Sequence, residues 1–346
     1  MLMPLSVRPQ PMAKTLFYSL LILKVRVIPA LWHSILNKNK LLPPSEKLIS
    51  VVAGPTASGK SAFALKLAKD KKGCVINADA MQLYKELPLL TAQPSQEEQA
   101  DIPHSLYGIL DAGERINAAR WCILAKQEIK RCFELGLHPI LTGGTGFYLK
   151  ALIEGLSPIP DTSDEMRRNS LAKARELGSE KFHQEISKFD PELTERINLN
   201  DTQRLAHGWA VYQETGKPLS EWQKLPKTPP PAEWKFDIFL ILPEREKLYE
   251  RIEKRFDLML ENNVMEEVTN LSRRIDKNEV ERDASIIIAH GFRALRGYLK
   301  GEKTFEDARH IGIKDTRHYA KRQFTWFRHQ INDDLDNIKS VEIVSP

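Results

Sequence analysis

The sequence predicts an α/β fold: a parallel sheet flanked by helices, with an all-helical segment inserted between two of its strands. Three observations carry this expectation. The apolar, β-branched run at residues 48–53 (LISVVA) leads directly into Gly54-Pro55-Thr56-Ala57-Ser58-Gly59-Lys60-Ser61, and the helix-forming stretch 62–68 follows. That is strand, phosphate loop GxxxxGK[ST] and helix in the order the motif requires, so the core is expected to be P-loop NTPase-like. Strand-like runs recur at 74–78 and 138–142, each after a helical pattern, and another at 236–242 returns after a long polar stretch.

The spacing of the loop follows from physics. Gly54 and Gly59 free the backbone for conformations closed to larger residues and turn its N–H groups inward, and the helix beginning near Lys60 adds the positive end of its dipole. The result is a diphosphate cradle, with Lys60 on the outer phosphate as a point charge and the Ser61 hydroxyl on a bridging Mg²⁺. A chance glycine turn between a strand and a helix is the competing reading.

The second strand ends at Asp79. Ligands gather at the carboxyl ends of strands in an open parallel sheet, so Asp79 is expected to face the crevice of Lys60 as a candidate base. An Asp capping the next turn is the plainer alternative. Residues 85–120 are poorly periodic and contain Pro88, Pro94, Pro103 and Gly108, which suggests loops over the site. A helix is expected from about 117 to 135. The third strand runs into Gly143-Gly144-Thr145-Gly146, a second glycine turn at the same sheet edge.

From Ser157 the chain changes character. Pro158 and Pro160 break the pattern, a helix-favouring stretch covers about 164–223, and the run 226–231 (PKTPPP) is a stiff linker. The domain organisation read from this is a basic extension at 1–46, a catalytic core formed by 47–157 and 233–346, and a helical insertion at 158–232. The last third reads as helical. Arg251 and Arg255 fall on one helix face, a solvent face by default. In the stretch 317–328, Arg317, Lys321, Phe324 and Arg328 cluster within about 60° at 100° per residue, with Tyr319, Gln323 and Trp326 on the other side. Such a basic stripe suits a phosphate backbone, with a ring available for stacking, and equally suits a solvated amphipathic helix.

Composition narrows the class. With 346 residues, 42% hydrophobic and 28% charged, the chain has an ordinary soluble makeup and room for a sizeable core. Cys74, Cys122 and Cys132 are odd in number and lack CxxC spacing, which argues against a disulfide framework or a zinc site and favours a reducing, cytoplasmic location. The net charge of +5 is uneven, since residues 1–45 hold six Lys/Arg and no Asp/Glu. Nucleic-acid binding therefore has to be argued from local patches. Within that basic stretch the apolar run 16–23 is cut by Lys24 and Arg26, short of the ~18 residues of a membrane helix. The stretch reads as an addition to the domain, with a transit peptide or a misplaced start as the alternatives, and no membrane partner is expected.

Taken together, GPTASGKS at 54–61, DAMQLY at 79–84, GGTGFY at 143–148, NDTQRL at 200–205, RIEKRF at 251–256 and KRQFTWFR at 321–328 resemble, in this order, the tRNA dimethylallyltransferases of bacterial type. The resemblance spans about residues 48–330. It implies transfer of a dimethylallyl group from dimethylallyl diphosphate to N6 of adenine-37, beside the tRNA anticodon, by a monomer. It also implies that Gly54, Pro55, Thr56, Ala57, Ser58, Gly59, Lys60, Ser61 and Arg255 hold the diphosphate with Mg²⁺ on Ser61. Asp79 would be the general base, and Thr145 a catalytic-site contact to the tRNA. Contacts to the anticodon stem-loop would come from Asp79, Ala80, Met81, Gln82, Gln203, Arg204, Leu205, Ala206, His207, Gly291, Phe292, Arg293, Lys321, Arg322, Gln323, Trp326 and Arg328.

Four departures stand out. The family usually has Ser where Ala80 stands, and a GxDIGTAKP-like run where residues 86–94 read ELPLLTAQP. Its QRxxR pattern ends here in His207, and its IGYKE appears as HGFRA at 290–294. These touch the tRNA contacts and the rim more than the cradle. Other classes share parts of the pattern: a P-loop kinase using ATP leaves the second glycine turn without a role, a prenyltransferase of free adenine nucleotides needs no long basic surface, and a binding-only tRNA protein tolerates loss of Lys60.

Overall fold

A computed structural model describes residues 46–331 and 335–345. The basic extension, and the readings made of it, lie outside the described residues. Strand β1 (Lys47–Ala53) is buried on both faces from Ile49 onward. An uninterrupted apolar run demands such cover, and a parallel sheet with helices on each side supplies it. There follow helix α1 (Lys60–Lys71), β2 (Gly73–Asn77), a 3₁₀ turn (Met81–Leu83), the short α2 (Gln96–Asp101) and the two-residue β3 (His104–Ser105). Helix α3 (Ala118–Glu134) is capped by the Asn117 side chain, and β4 (His138–Gly143) leads into α4 (Gly146–Glu154).

Past α4 the chain leaves the sheet. Helices α5 (Asp164–Ser187, bent at Gly178), α6 (Pro191–Arg196), α7 (Thr202–Thr215) and α8 (Leu219–Lys224) pack around their own apolar cluster of Phe182, Ile186, Leu193, Leu205, Val211 and Leu219. Asp190 ties this bundle together: its carboxylate is almost wholly buried and accepts from Leu193 N (3.1 Å) and Ser220 N (3.0 Å). The segment leaves and returns through an antiparallel bridge between Leu156 and Thr228.

Strand β5 (Trp234–Ile241) then pairs with β1 along its whole length. Helices α9 (Arg245–Glu261) and α10 (Val264–Asp276) are separated at Asn263, whose φ of 66° is left-handed. After α11 (Phe292–Leu299) and the long α12 (Phe305–Gln330), β6 (Ile338–Val344) adds a sixth strand. The sheet order is β3-β2-β4-β1-β5-β6, every pair parallel. Along β1, Ile49, Val51 and Ala53 join the large core with α3, α4 and the C-terminal helices, while Val52 packs with Ala64 and Ala68 of α1.

The expectation of a wholly helical last third is corrected by β6. None of its side chains is buried, so it lacks the apolar alternation that marks a strand, and its conformation comes from the ladder to β5. Among the described residues no helix is long and apolar enough to cross a membrane.

Candidate active site

The phosphate loop is shaped by two different glycine requirements. Gly59 caps α1 with φ 95°, a left-handed conformation, and Ala57 before it is also left-handed at φ 61°. Gly54 departs from expectation. Its φ is not positive; a side chain there would collide with the carbonyl of Ile241 on β5, so the need is close approach rather than special torsion. Lys60 Nζ donates to Pro55 O (3.2 Å). Burial lowers its pKa to about 8, against an opposing pull from Asp79.

Helix α9 lays two more cations over the loop. Arg255 donates to Thr56 Oγ1 (2.6 Å) and Arg251 to Ser58 O (3.3 Å); the solvent-face reading is corrected for Arg255, while Arg251 stays exposed at the cavity edge. The seat of α9 explains the geometry. The Phe256 ring fills space left by Gly291 and Gly312, and Arg309 of α12 holds Asp257 (2.6 Å), turning Arg255 toward the loop. Arg255 is itself driven down to about 10 by desolvation, partly offset by Asp79. Two partly desolvated cations on one loop form a site that gains by taking up an anion.

Asp79 stands at the carboxyl end of β2. Asn77 clamps its backbone, accepting from Asp79 N (2.8 Å) and donating to Asp79 O (3.0 Å) and Leu106 O (2.9 Å). One carboxylate oxygen accepts from Met81 N (3.0 Å), so the capping role and a place in the site coexist. The second glycine turn is bolted to this strand end: Thr145 Oγ1 accepts from Ala80 N (2.9 Å) and Thr145 N donates to Ala78 O (3.2 Å). Gln323 of α12 joins the two glycine turns, accepting from Thr56 N (2.9 Å) and donating to Gly144 O (2.7 Å).

A cavity of about 410 Å³ opens between these parts, with Lys60, Ser61, Arg251 and Arg255 on one side and Asp79 on the other. A narrow chamber of about 60 Å³ continues past Asp79 and Arg255 between Met81, Leu90, Phe256, Met259, His290 and Tyr319. The His290 and Tyr319 rings pack against each other at a tilt of 40°, with centroids 4.4 Å apart. Burial pushes the Tyr319 phenol up and the His290 imidazole down, so both groups are neutral at pH 7.

The residues expected at a tRNA surface divide. Lys321, Arg322 and Arg328 are exposed along α12, Arg293 on α11, and Gln203, Arg204 and His207 on α7. Met81 lines the narrow chamber, Ala80 is half-buried beside it, and Trp326 is half-buried against Gly146. The side chains of Leu205, Ala206 and Phe292 are not at the surface, nor is Gly291, and their expected contacts are corrected. Leu205 and Ala206 fill the helical core because α7 must bury one face, Phe292 is fully buried under α11, and Gly291 is a left-handed turn against Phe256. Gln323 is buried as the strut already described. Gln82 lines the main cavity and donates to Thr91 O and Ala92 O (2.8 Å each), and so shapes the rim loop 86–94. Tyr319, His290, His104 and Tyr107 line the two cavities and were not among the expected site residues. Tyr319 was legible from its spacing of four before Gln323, whereas nothing around the two-residue β3 marks His104.

Comparison with known proteins agrees with this geometry. The family model described as IPP transferase matches residues 82–330, and that described as isopentenyl transferase matches 47–109. A tRNA dimethylallyltransferase from a Bradyrhizobium species is 44% identical over 290 residues, 84% of this chain and 93% of that protein. One from Azorhizobium caulinodans is 43% identical over 286 residues, 83% and 90% of the two chains. Among solved structures, the full-length tRNA isopentenylpyrophosphate transferase of Bacillus halodurans superposes with TM-score 0.55 at 30% identity, covering 86% of this chain and 90% of that one. A eukaryotic dimethylallyltransferase described as acting on tRNA gives TM-score 0.71 at 26% identity, covering 86% and 74%. With its second glycine turn and long C-terminal helix inside the span 82–330, and its phosphate loop inside 47–109, the chain belongs to the IPP transferase family.

Proposed function

We propose that this chain is a tRNA dimethylallyltransferase, transferring the dimethylallyl group of dimethylallyl diphosphate to N6 of adenine-37 in tRNAs that read codons beginning with U. One observation carries the reading: the cationic cradle of Lys60, Arg251 and Arg255 and the carboxylate of Asp79 face a single cavity. A carboxylate there serves a kinase as well as a prenyl transfer, and the match of the chain to tRNA dimethylallyltransferases over most of its length favours the second.

The reaction divides between the two walls. The C1–O bond of the donor breaks and its electron pair leaves with the diphosphate, whose charge Lys60, Arg255 and the loop N–H groups neutralise. The allylic double bond stabilises the carbon left behind. The N6 lone pair, delocalised into the adenine ring, forms the new C–N bond as the N6 proton passes to the Asp79 carboxylate. The target base must leave its stack to reach Asp79, which costs less in a single-stranded loop than in a duplex.

Mg²⁺ fits the residues present. Among the described residues no group of three His, Cys, Asp or Glu could hold a metal, and the Ser61 hydroxyl lines the cavity. A cation that keeps waters and binds chiefly through substrate phosphates suits that donor set, and it would add Lewis-acid neutralisation of the leaving group. The exposed cations of α12 would track the anticodon stem-loop, the helical segment 158–232 would close over the stem, and the chain would work as a cytoplasmic monomer.

The test combines the protein with Mg²⁺, radiolabelled dimethylallyl diphosphate and unmodified tRNA carrying adenosines at 36, 37 and 38, beside an ATP-hydrolysis control. Label is expected in the tRNA and lost when position 37 is changed. Lys60→Ala and Asp79→Ala are expected to abolish transfer with the fold intact. Wild-type turnover in either variant, label in free AMP alone, or ATP turnover alone overturns the reading.

A further inference from the structure

Beside the second glycine turn lies a space that the reaction above does not use. It is a cavity of about 220 Å³ walled by Phe147, Trp326, Phe327 and Tyr319, with Arg322 also on its lining. Two features set it apart from ordinary surface. Helix α4 buries Tyr148, Leu149, Ala151, Leu152 and Ile153, yet Phe147 in its first turn stays 56% exposed, so that ring contributes little to the core. Opposite it, Trp326 lies flat on Gly146, where any side chain would strike the indole. The turn therefore has a small residue where the indole needs room and a large exposed ring one position later.

The cavity shares wall residues with both neighbouring sites. Tyr319 also lines the chamber that holds Asp79, and Thr145, on this cavity's wall, is bonded to Ala80 beside Asp79. On the outer side, Trp326 and Arg322 also line a cleft of about 640 Å³ with His318, Lys321 and His329. Exposed aromatic faces beside a row of cations are what a single-stranded polynucleotide takes up, base on ring and phosphate on cation.

We infer that this cavity is a second base site, which takes the unpaired nucleobase directly flanking the target adenine and stacks it on Phe147. The inference rests on the tRNA reading of the active site. Its physical reason is that extruding one base removes a stacking partner from its neighbour, and an aromatic ring next to the extrusion site replaces the lost stack.

Anticodon-type hairpins, intact or abasic at one or the other neighbour of the target, provide the test, with wild type, Phe147→Ala and Phe147→Trp compared. Hairpin affinity is measured by anisotropy without prenyl donor, and transfer kinetics are measured separately. Phe147→Ala is expected to weaken the intact hairpin about 5- to 150-fold, the span of one base–aromatic stack. It should add no further loss on the hairpin abasic at one of the two neighbours, and should leave the KM for the donor unchanged, with Phe147→Trp restoring binding. Equal losses on intact and abasic hairpins, or no loss on either, overturn the second base site. A wild-type protein that binds hairpins but transfers no label overturns the reaction assignment instead, and the anisotropy series still decides the fate of the cavity.

Discussion

Replacing Gln323 with alanine removes the strut between the two glycine turns, and the structure sets both the size and the kind of loss. The amide accepts from Thr56 N at 2.9 Å and donates to Gly144 O at 2.7 Å, and the residue is only 5% exposed. Alanine fills neither role: the Gly144 carbonyl keeps only its bond from Gly146 N (3.1 Å), and the half-buried Thr56 N–H loses its acceptor. An orphaned buried group costs about 1–3 kcal/mol, and since only the Thr56 N–H is orphaned while Gly144 O keeps one donor, the variant should lose about 1–3 kcal/mol in all. Urea unfolding measures this directly. The variant should also bind inorganic diphosphate more weakly in the absence of RNA, since Thr56 carries the hydroxyl that Arg255 grips. Gln323→Glu separates the ends: it keeps an acceptor for Thr56 N but places a carboxylate against the Gly144 carbonyl. A Gln323→Ala protein with unchanged stability and diphosphate affinity, impaired only in its KM for tRNA, would refute the strut and return Gln323 to the RNA surface.

Three other outcomes follow from the site. Lys60 titrates near pH 8 in the folded protein and near 10.5 otherwise, so its charge is complete below about pH 8 and fades above it. Diphosphate affinity should fall as pH rises through about 8, while the Lys60 contribution to stability increases between about 8 and 10.5 as the folded state sheds a proton the unfolded chain keeps. Calorimetric titration of wild type against Lys60→Ala reads the first, and a wild-type advantage that does not shrink above pH 8 contradicts it. Gly143→Ala puts a Cβ onto the backbone of Ala78, which no rotamer change relieves. The cost should reach or exceed the about 1–3 kcal/mol of ordinary overpacking, seen as a lower Tm. Chelation by EDTA should stop transfer and leave Tm unmoved, with Mg²⁺ restoring activity; a drop in Tm would point instead to a structural metal.

How much was legible in the sequence differed between strand ends and side-chain faces. The expected strand at 48–53, the glycine turns and the helix at about 117–135 appear with shifts of a residue or so, since a β-branched run, the left-handed Gly59 and an Asn cap act on their immediate neighbours. The sequence leaves 244–275 open between one long helix and two shorter ones, and the left-handed Asn263 decides for two. The edge strand β6 and the two-residue β3 were not legible as elements. Each is imposed by a partner remote in sequence, as when β6 borrows its ladder from β5.

By itself, then, the sequence determined the cradle of Gly54 to Ser61, the place of Asp79 at a strand end and the order of elements that brings them to one sheet edge. Only the tertiary structure decided which polar side chains serve the substrate and which serve the fold. Gln323 and Arg255 are both polar residues on helix faces, yet one is a buried strut to Gly144, 179 residues away, and the other turns a cation into the cavity. The reason is physical. Backbone conformation answers to the residues on either side, whereas the partner of a buried amide or guanidinium is whatever the packing of distant elements leaves within about 3 Å of it.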